Sequence, residues 1–166
     1  GVANSIAAIE NGATHVQGTL NGYGERCGNA KLSTIIPILK LKKFIPCISD
    51  DQLKMLSSIC RQVAEVSNQT PDNGDPFIGK SAFAHKGGIH VSAILNNPET
   101  YEHINPQLVG NDQRVLVSEL SGASNLIYKA KEFGVTITKD DKSLKTVLKT
   151  IKDLEHDGYQ FEGADA

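Results

Sequence analysis

The sequence predicts an α/β fold that passes, in its second half, into a mostly helical α+β region. Three observations predict it. Within the first 45 residues a helical, an extended, a glycine-rich and a second helical segment follow one another in order. Apolar residues recur at intervals of three and four in later stretches, the pattern of helices with one buried face. Between them "NQTPDNGDP", residues 68–76, gathers Asn, Asp, Gly and Pro and reads as a linker.

In chain order, "ANSIAAIENGA" spaces alanine and isoleucine helically and reaches Gly12, a residue suited to the left-handed position that ends a helix. "HVQGTL" places Val16, Gly18 and Leu20 on one side, as a short strand does. After a glycine-rich turn, "AKLSTIIPILKLKK" offers Leu32, Ile35, Ile36 and Leu39 as one apolar face. Pro37 argues against a long regular helix there, since an interior proline costs about 3 kcal/mol. Ser49 with Gln52 forms a capping box, and Leu53, Leu56, Cys60 and Val63 continue the period, so a helix is expected from about 50 to 67. "FIGKSAFAHKGGIHVSAILNNPETYEHI" begins extended and turns helical before breaking ahead of Pro98. "RVLVSEL" reads as a strand, residues 124–133 as a short helix stopped by Gly134, and "DDKSLKTVLKTIKDLEHDG" as an amphipathic helix. Its stripe is Leu144, Val147, Leu148, Ile151 and Leu154. No internal repeat or low-complexity tract interrupts this order.

Composition narrows the function classes. With 166 residues, 39% hydrophobic and 22% charged, the chain has the make-up of a soluble globular protein. A formal net charge of −2 provides no bulk attraction to nucleic acid or to an anionic membrane. No run of about 18 apolar residues suggests a membrane helix. Cys27, Cys47 and Cys60 are odd in number and lack a Cys-x-x-Cys spacing, which fits a reducing cytoplasm better than a disulfide framework or a zinc knuckle. The start lacks both an initiator methionine and a signal-peptide pattern, so it is expected to be internal to a longer chain.

The turn "NGYGERCGN", residues 21–29, is the first candidate site and admits three readings. A glycine turn leading into a helix is a ready anion site, because the first helical N–H groups are unpaired. Yet Gly22, Gly24 and Gly28 are one residue too widely spaced for Gly-x-Gly-x-x-Gly, and no Gly-Lys-Ser/Thr follows. A second reading has Glu25 and Arg26 pairing locally while the glycines turn the chain. A third places Asn29 at the mouth of a β/α barrel, where its amide oxygen suits a hard divalent cation; capping a helix N-terminus is the plain alternative for that asparagine. His85 and His90, five residues apart, would point about 140° away from each other on a regular helix and make poor co-ligands.

"ANSIAAIENGATHVQGTLNGYGERCGN" resembles the segment that follows the metal-binding His-x-His of the 2-isopropylmalate, homocitrate and citramalate synthases, which add acetyl-CoA to a 2-oxo acid. "GKSAFAHKGGIHVSAILNNPETYEHI" resembles the region after the barrel in the same family. "LVGNDQRVLVSELSGASN" and "DLEHDGYQFEGADA" look most like the (R)-citramalate synthase branch. The resemblance implies that residues 1–45 are the tail of a catalytic TIM (β/α)8 barrel, 46–76 a helix and linker, and 77–166 post-barrel connecting subdomains. The His-x-His is then expected upstream of Gly1 and a regulatory domain after Ala166.

The same resemblance implies site residues. Asn29 completes a divalent-metal site (Mg, Mn or Zn), and Glu25 and Arg26 are active-site scaffold. His85, the first histidine of His-Lys-x-Gly-Ile-His, carries the proton at the active site, reached across a homodimer, with Tyr101 assisting. His90 is structural, and Cys27 is a buried small residue and not a nucleophile. The implied reaction is a Claisen-type acyl transfer from acetyl-CoA to pyruvate giving (R)-citramalate and CoA, in cytoplasmic isoleucine/leucine-type branched-chain amino-acid biosynthesis. It involves neither nucleic acid nor membrane. Isopropylmalate or homocitrate synthesis, or a non-catalytic connecting or dimerisation module, are the alternatives.

Overall fold

The computed structural model describes residues 1–118, 121–138, 141–159 and 161. They form two compact units: Gly1–Phe83 with Pro106–Asp112, and Ala84–Asn105 with the described residues from Gln113 onward.

The first unit opens with helix α1, Val2–Glu10, which is followed by Gly12 at φ 103°, as the sequence expects. The strand expected over "HVQGTL" does not form. Residues 13–18 are irregular, and Thr19 alone makes a parallel bridge, with Lys31. Its N–H donates to the Ala30 carbonyl at 3.0 Å and its carbonyl accepts from Leu32 N at 2.9 Å. Alternation of side chains makes a segment fit for a sheet, but a strand exists only where a neighbour continues the ladder. Gly18 permits the approach, since a Cβ there would sit 2.3 Å from the Ala30 carbonyl oxygen.

Helix α2, Leu32–Pro37, buries Ser33, Thr34, Ile35 and Pro37, then widens into a π-helical turn over Ile38–Lys42. Proline has no N–H to donate and its ring crowds the preceding turn, so a change of pitch directly after Pro37 follows from its chemistry. The helix expected over 50–67 forms as α3, Asp50–Lys54, and α4, Leu56–Val66. Its capping box is complete: Gln52 N donates to Ser49 Oγ at 3.2 Å and Ser49 N to Gln52 Oε1 at 2.9 Å. The break falls at Met55, whose N–H reaches Gln52 O, three residues back.

Leu53, Leu56, Cys60 and Ala64 line the buried face of this pair. Against it packs a 3₁₀ turn, Pro106–Val109, where the Val109 carbonyl accepts from Ser57 Oγ at 2.6 Å. Gly110, at φ 68°, admits this contact because a Cβ would lie 2.0 Å from the Lys54 carbonyl oxygen. Residues 68–76 are irregular, as their composition predicts, but they fold back onto their own unit through an ion pair between Asp75 and Lys31.

The second unit contains β1 (Ala84–His85), α5 (Gly88–Asn96), β2 (Arg114–Val115), α6 (Ala123–Glu132) and α7 (Lys142–His156). The strands pair in parallel, Ala84 with Arg114 and His85 with Val115. The strand expected over "RVLVSEL" is thus shortened to two residues; of the rest, 119 and 120 lie outside the described residues. Beyond Val115 the Leu116 N–H continues the pairing, donating to the His85 carbonyl at 2.9 Å, before Ser121 N donates to the Ser118 carbonyl at 2.8 Å.

Two apolar clusters hold this unit. Val91, Ile94 and Val115 pack with Tyr128. Val117, Leu126, Leu144 and Ile151 form the other, with Leu148 and Ile137 against them. Leu144, Leu148 and Ile151 of the expected α7 stripe are therefore in the core, while Val147 is exposed. Helices α5 and α6 meet at Gly88 and Gly122, where a Cβ on Gly88 would be 2.8 Å from Gly122 N. Asn125, fully buried, donates from Nδ2 to the Lys86 and Leu116 carbonyls at 2.9 and 3.1 Å and accepts at Oδ1 from Gly122 N at 3.2 Å.

Candidate functional site

The glycine turn is built so that Asn29 can reach back across it. Asn29 Nδ2 donates to the Tyr23 carbonyl at 2.9 Å, which also accepts from Thr19 Oγ1 at 2.8 Å, and Asn29 N donates to the Gly22 carbonyl at 2.8 Å. Each glycine has a steric reason. A Cβ on Gly24 would lie 2.1 Å from Asn29 Nδ2, and one on Gly28 would lie 2.1 Å from the Gly22 oxygen. Gly22 and Gly28 also hold φ of 75° and 86°, in the left-handed region that favours glycine.

With Nδ2 engaged, the Asn29 amide oxygen makes no hydrogen bond among the described residues. It is the kind of donor a hard cation accepts. Asn29 does not cap α2, whose N-cap is Lys31, so the plain reading of this residue fails. Glu25 and Arg26 do pair, at 3.1 Å, but both side chains are more than four-fifths exposed, and such a pair adds little stability. Arg26 adopts φ 55°, a conformation uncommon outside glycine. Cys27, expected to be buried, is exposed, because the turn projects it outward beside Arg26. The turn and Ser67 and Gln69, just after α4, line an open hollow of about 450 Å³.

In the second unit His85 is on β1 and not on a helix; α5 begins only at Gly88. That placement separates its surroundings from those of His90 more completely than the helical spacing argument required. His85 is buried, while His90 is exposed on α5 and stacks on Tyr101 with ring centroids 4.3 Å apart. Tyr101 is half exposed, and it makes its ring contact with His90.

The partner of His85 is Glu102, whose Oε1 lies 3.2 Å from His85 Nε2. The two side chains are 9% and 5% exposed. Gln113 Nε2, just before β2, donates to the same Oε1 at 2.8 Å. A buried carboxylate is costly unless its lone pairs are filled, and here two elements fill one oxygen. Sequence reasoning missed Glu102 and Gln113. No local sequence signal marked them: only the structure shows the alternation after the Pro98–Thr100 turn, in which Tyr101 and His103 are exposed and Glu102 and Ile104 are partly covered.

Asn29, Glu25 and Arg26 thus share one turn of the first unit, and His85, Tyr101, Glu102 and Gln113 share the second. Among the described residues no three His, Cys, Asp or Glu side chains come together as a metal cage, so Asn29 fits a cation as one oxygen donor only. No helix among them is long and apolar enough to cross a membrane. Elsewhere in the first unit Cys60 is held as a thiol, pushed up to about 11 by burial and by the Asp75 carboxylate, with Lys31 opposing.

Residues 1–66 match the HMGL-like family model and residues 77–158 the model described as homocitrate synthase post-HMGL domain-like. Over 165 residues, 99% of the chain, it is 56% identical to an (R)-citramalate synthase of Synechocystis sp. and 55% identical to one of Geobacter sulfurreducens. A 2-isopropylmalate synthase of Sulfolobus acidocaldarius is 38% identical over 164 residues. The chain spans 30%, 31% and 42% of the length of these relatives, respectively.

Proposed function

We propose, from the match of residues 1–66 to the HMGL-like family model and of residues 77–158 to the homocitrate synthase post-HMGL domain-like model, that the whole protein condenses acetyl-CoA with pyruvate. The products are (R)-citramalate and CoA. The observation that carries the choice of pyruvate is the identity of 55–56% with (R)-citramalate synthases against 38% with a 2-isopropylmalate synthase over the same stretch.

In this reading residues 1–45 close a (β/α)8 barrel, 46–76 lead out of it, and 77–166 form the connecting region. Asn29 supplies one oxygen ligand to a divalent cation (Mg, Mn or Zn), which would draw electron density from the keto carbonyl of the 2-oxo acid. Support comes from the turn itself, which ties down Nδ2 and leaves the amide oxygen for another partner. The paired Glu25 and Arg26 brace the rim of that turn.

His85 handles the proton. A base removes it from the acetyl methyl, the resulting enolate attacks the keto carbon, and water then cleaves the thioester, with CoA leaving as the thiol. An imidazole can both accept and release a proton, which suits a histidine to this role. Tyr101, half exposed and stacked on His90, assists in this reading. The enzyme works as a cytoplasmic homodimer in which His85 serves the partner's barrel.

The test is CoA release by the whole protein with acetyl-CoA and a divalent cation, comparing 2-oxo acids. A higher kcat/KM for pyruvate than for 2-oxoisovalerate or 2-oxoglutarate is expected. A preference for 2-oxoisovalerate would move the protein to the isopropylmalate branch, and no CoA release with any of the three would refute the activity.

A further inference from the structure

We propose that the loop of residues 68–76 braces the glycine turn, with Asp75 as its positioning residue: through Lys31 and Gly22 it sets where the amide oxygen of Asn29 stands. The inference rests on the proposal that Asn29 is a cation ligand and adds to it the residues that hold that ligand still.

Lys31 stands at a junction. Two residues after Asn29, it is the N-cap of α2 and is bridged in parallel to Thr19. Its stem lies against Gly22, where a Cβ would stand 3.3 Å from both Lys31 Cβ and Cγ. The Gly22 carbonyl in turn accepts from Asn29 N at 2.8 Å. A displaced Lys31 side chain is therefore felt at Asn29 through one packing contact and one hydrogen bond, because close-packed groups pass on strain.

The far end of Lys31 is held by Asp75, the two side chains being 25% and 12% exposed. Asp75 has little freedom of its own. Its N–H donates to the Asp72 carbonyl at 3.3 Å, its carbonyl accepts from Gly79 N at 2.9 Å, and Ser81 N closes the loop onto the Asn73 carbonyl at 2.9 Å. Buried Asn111 fastens the segment just beyond, donating to the Phe77 and Gly79 carbonyls at 3.0 and 3.1 Å.

Toward α4 the turn has less behind it. A cavity of about 300 Å³ is lined there by Asn21, Tyr23, Lys31, Cys60 and Asp75, and Asn21 Nδ2 ties the turn to the helix through the Cys60 carbonyl at 2.9 Å. A partly buried ion pair is a weak source of stability, since desolvation offsets much of its attraction. What Lys31 and Asp75 supply is a fixed separation between segments 44 residues apart, at the hollow side of the turn that carries Asn29.

The experiment uses the whole protein and Mn²⁺ alone, with binding read by isothermal titration calorimetry and CoA release measured in parallel. Asp75→Asn, close in shape but uncharged, is expected to weaken Mn²⁺ binding about 10-fold, with kcat at saturating Mn²⁺ within about threefold of the parent. Asp75→Glu, which keeps the charge, should recover part of the affinity. Lys31→Met leaves a stem on Gly22 without its anchor and should weaken binding similarly. The two combined should do no more than either alone, because both break one contact. If Asp75→Asn does not fold, Lys31→Met carries the test.

Unchanged Mn²⁺ affinity in folded Asp75→Asn or Lys31→Met, beside weakened binding in Asn29→Ala, would overturn the brace and leave the proposed function standing. Activity that falls only with the folded fraction, at unchanged affinity, would reduce the pair to a structural contact. Unchanged binding in Asn29→Ala would overturn the cation role of Asn29 and this inference with it.

Discussion

Gly24→Ala separates stability from function at the glycine turn. The added methyl would meet Asn29 Nδ2 at 2.1 Å, and Asn29 Cγ at 3.0 Å, while its nearest backbone neighbour is 3.4 Å away. The obstacle is the end of a side chain that can swing aside. The direct loss is therefore the single hydrogen bond to the Tyr23 carbonyl, about 1 kcal/mol, partly offset by about 0.4–1 kcal/mol from a stiffer unfolded chain. Net destabilisation should stay below about 1 kcal/mol. The swing, however, moves the amide oxygen proposed as a metal ligand, and the divalent-cation concentration for half-maximal activity should rise about 10-fold or more.

Gly28→Ala is the contrast. Its methyl would meet the backbone oxygen of Gly22 at 2.1 Å from a φ of 86°, so nothing flexible can yield, and a loss of more than about 2 kcal/mol is expected. Chemical denaturation followed by far-UV dichroism measures the first quantity and a magnesium or manganese titration of CoA release the second. An unchanged cation requirement in Gly24→Ala, with the fold intact, would refute the claim that the turn exists to aim Asn29.

Asn125→Ala removes three hydrogen bonds from a fully buried position and takes the Asn125 donor from the Lys86 and Leu116 carbonyls, the second of which also accepts from Ser121 Oγ at 3.4 Å, so the second unit should lose at least about 2 kcal/mol in denaturation. Cys27 and Cys47 should alkylate readily at pH 8 in the native protein, and Cys60 only after unfolding. Because the fold raises the Cys60 thiol from about 9 to about 11, its contribution is present below pH 9 and is lost as pH rises through 11; Cys60→Ala should flatten that alkaline slope. At a cation concentration too low for Asn29→Ala to turn over, mixing Asn29→Ala and His85→Ala subunits should restore part of the activity if His85 serves its partner's barrel. No recovery, despite demonstrated subunit exchange, would assign His85 to its own subunit.

Elements decided by local chemistry were legible in the sequence. The Ser49–Gln52 box, Gly12 and Gly134 as stops, and the stripe from Leu144 to Ile151 depend on spacing and backbone freedom within one turn or two. The strands were legible only as candidates. "HVQGTL" and "RVLVSEL" have the side chains of strands, but their length depends on neighbours that no local pattern specifies. The site divides similarly. Asn29 and His85 stood out through their motifs, whereas Glu102 reads as one more surface acid until the turn after Pro98 directs it inward to meet residues 17 and 11 positions away.

The proposed division of labour between Asn29 and His85 is tested most directly by the kinetics of Asn29→Ala and His85→Ala in the whole protein, read as separate parameters. Asn29→Ala should raise the cation concentration needed for activity and, with it, KM for pyruvate. His85→Ala should leave both nearly unchanged and lower kcat by about 10²- to 10⁴-fold. His90→Ala, which removes the ring stacked on Tyr101, reads the contribution of that pair separately. An undiminished kcat in His85→Ala, or a cation requirement untouched by Asn29→Ala, would contradict the account.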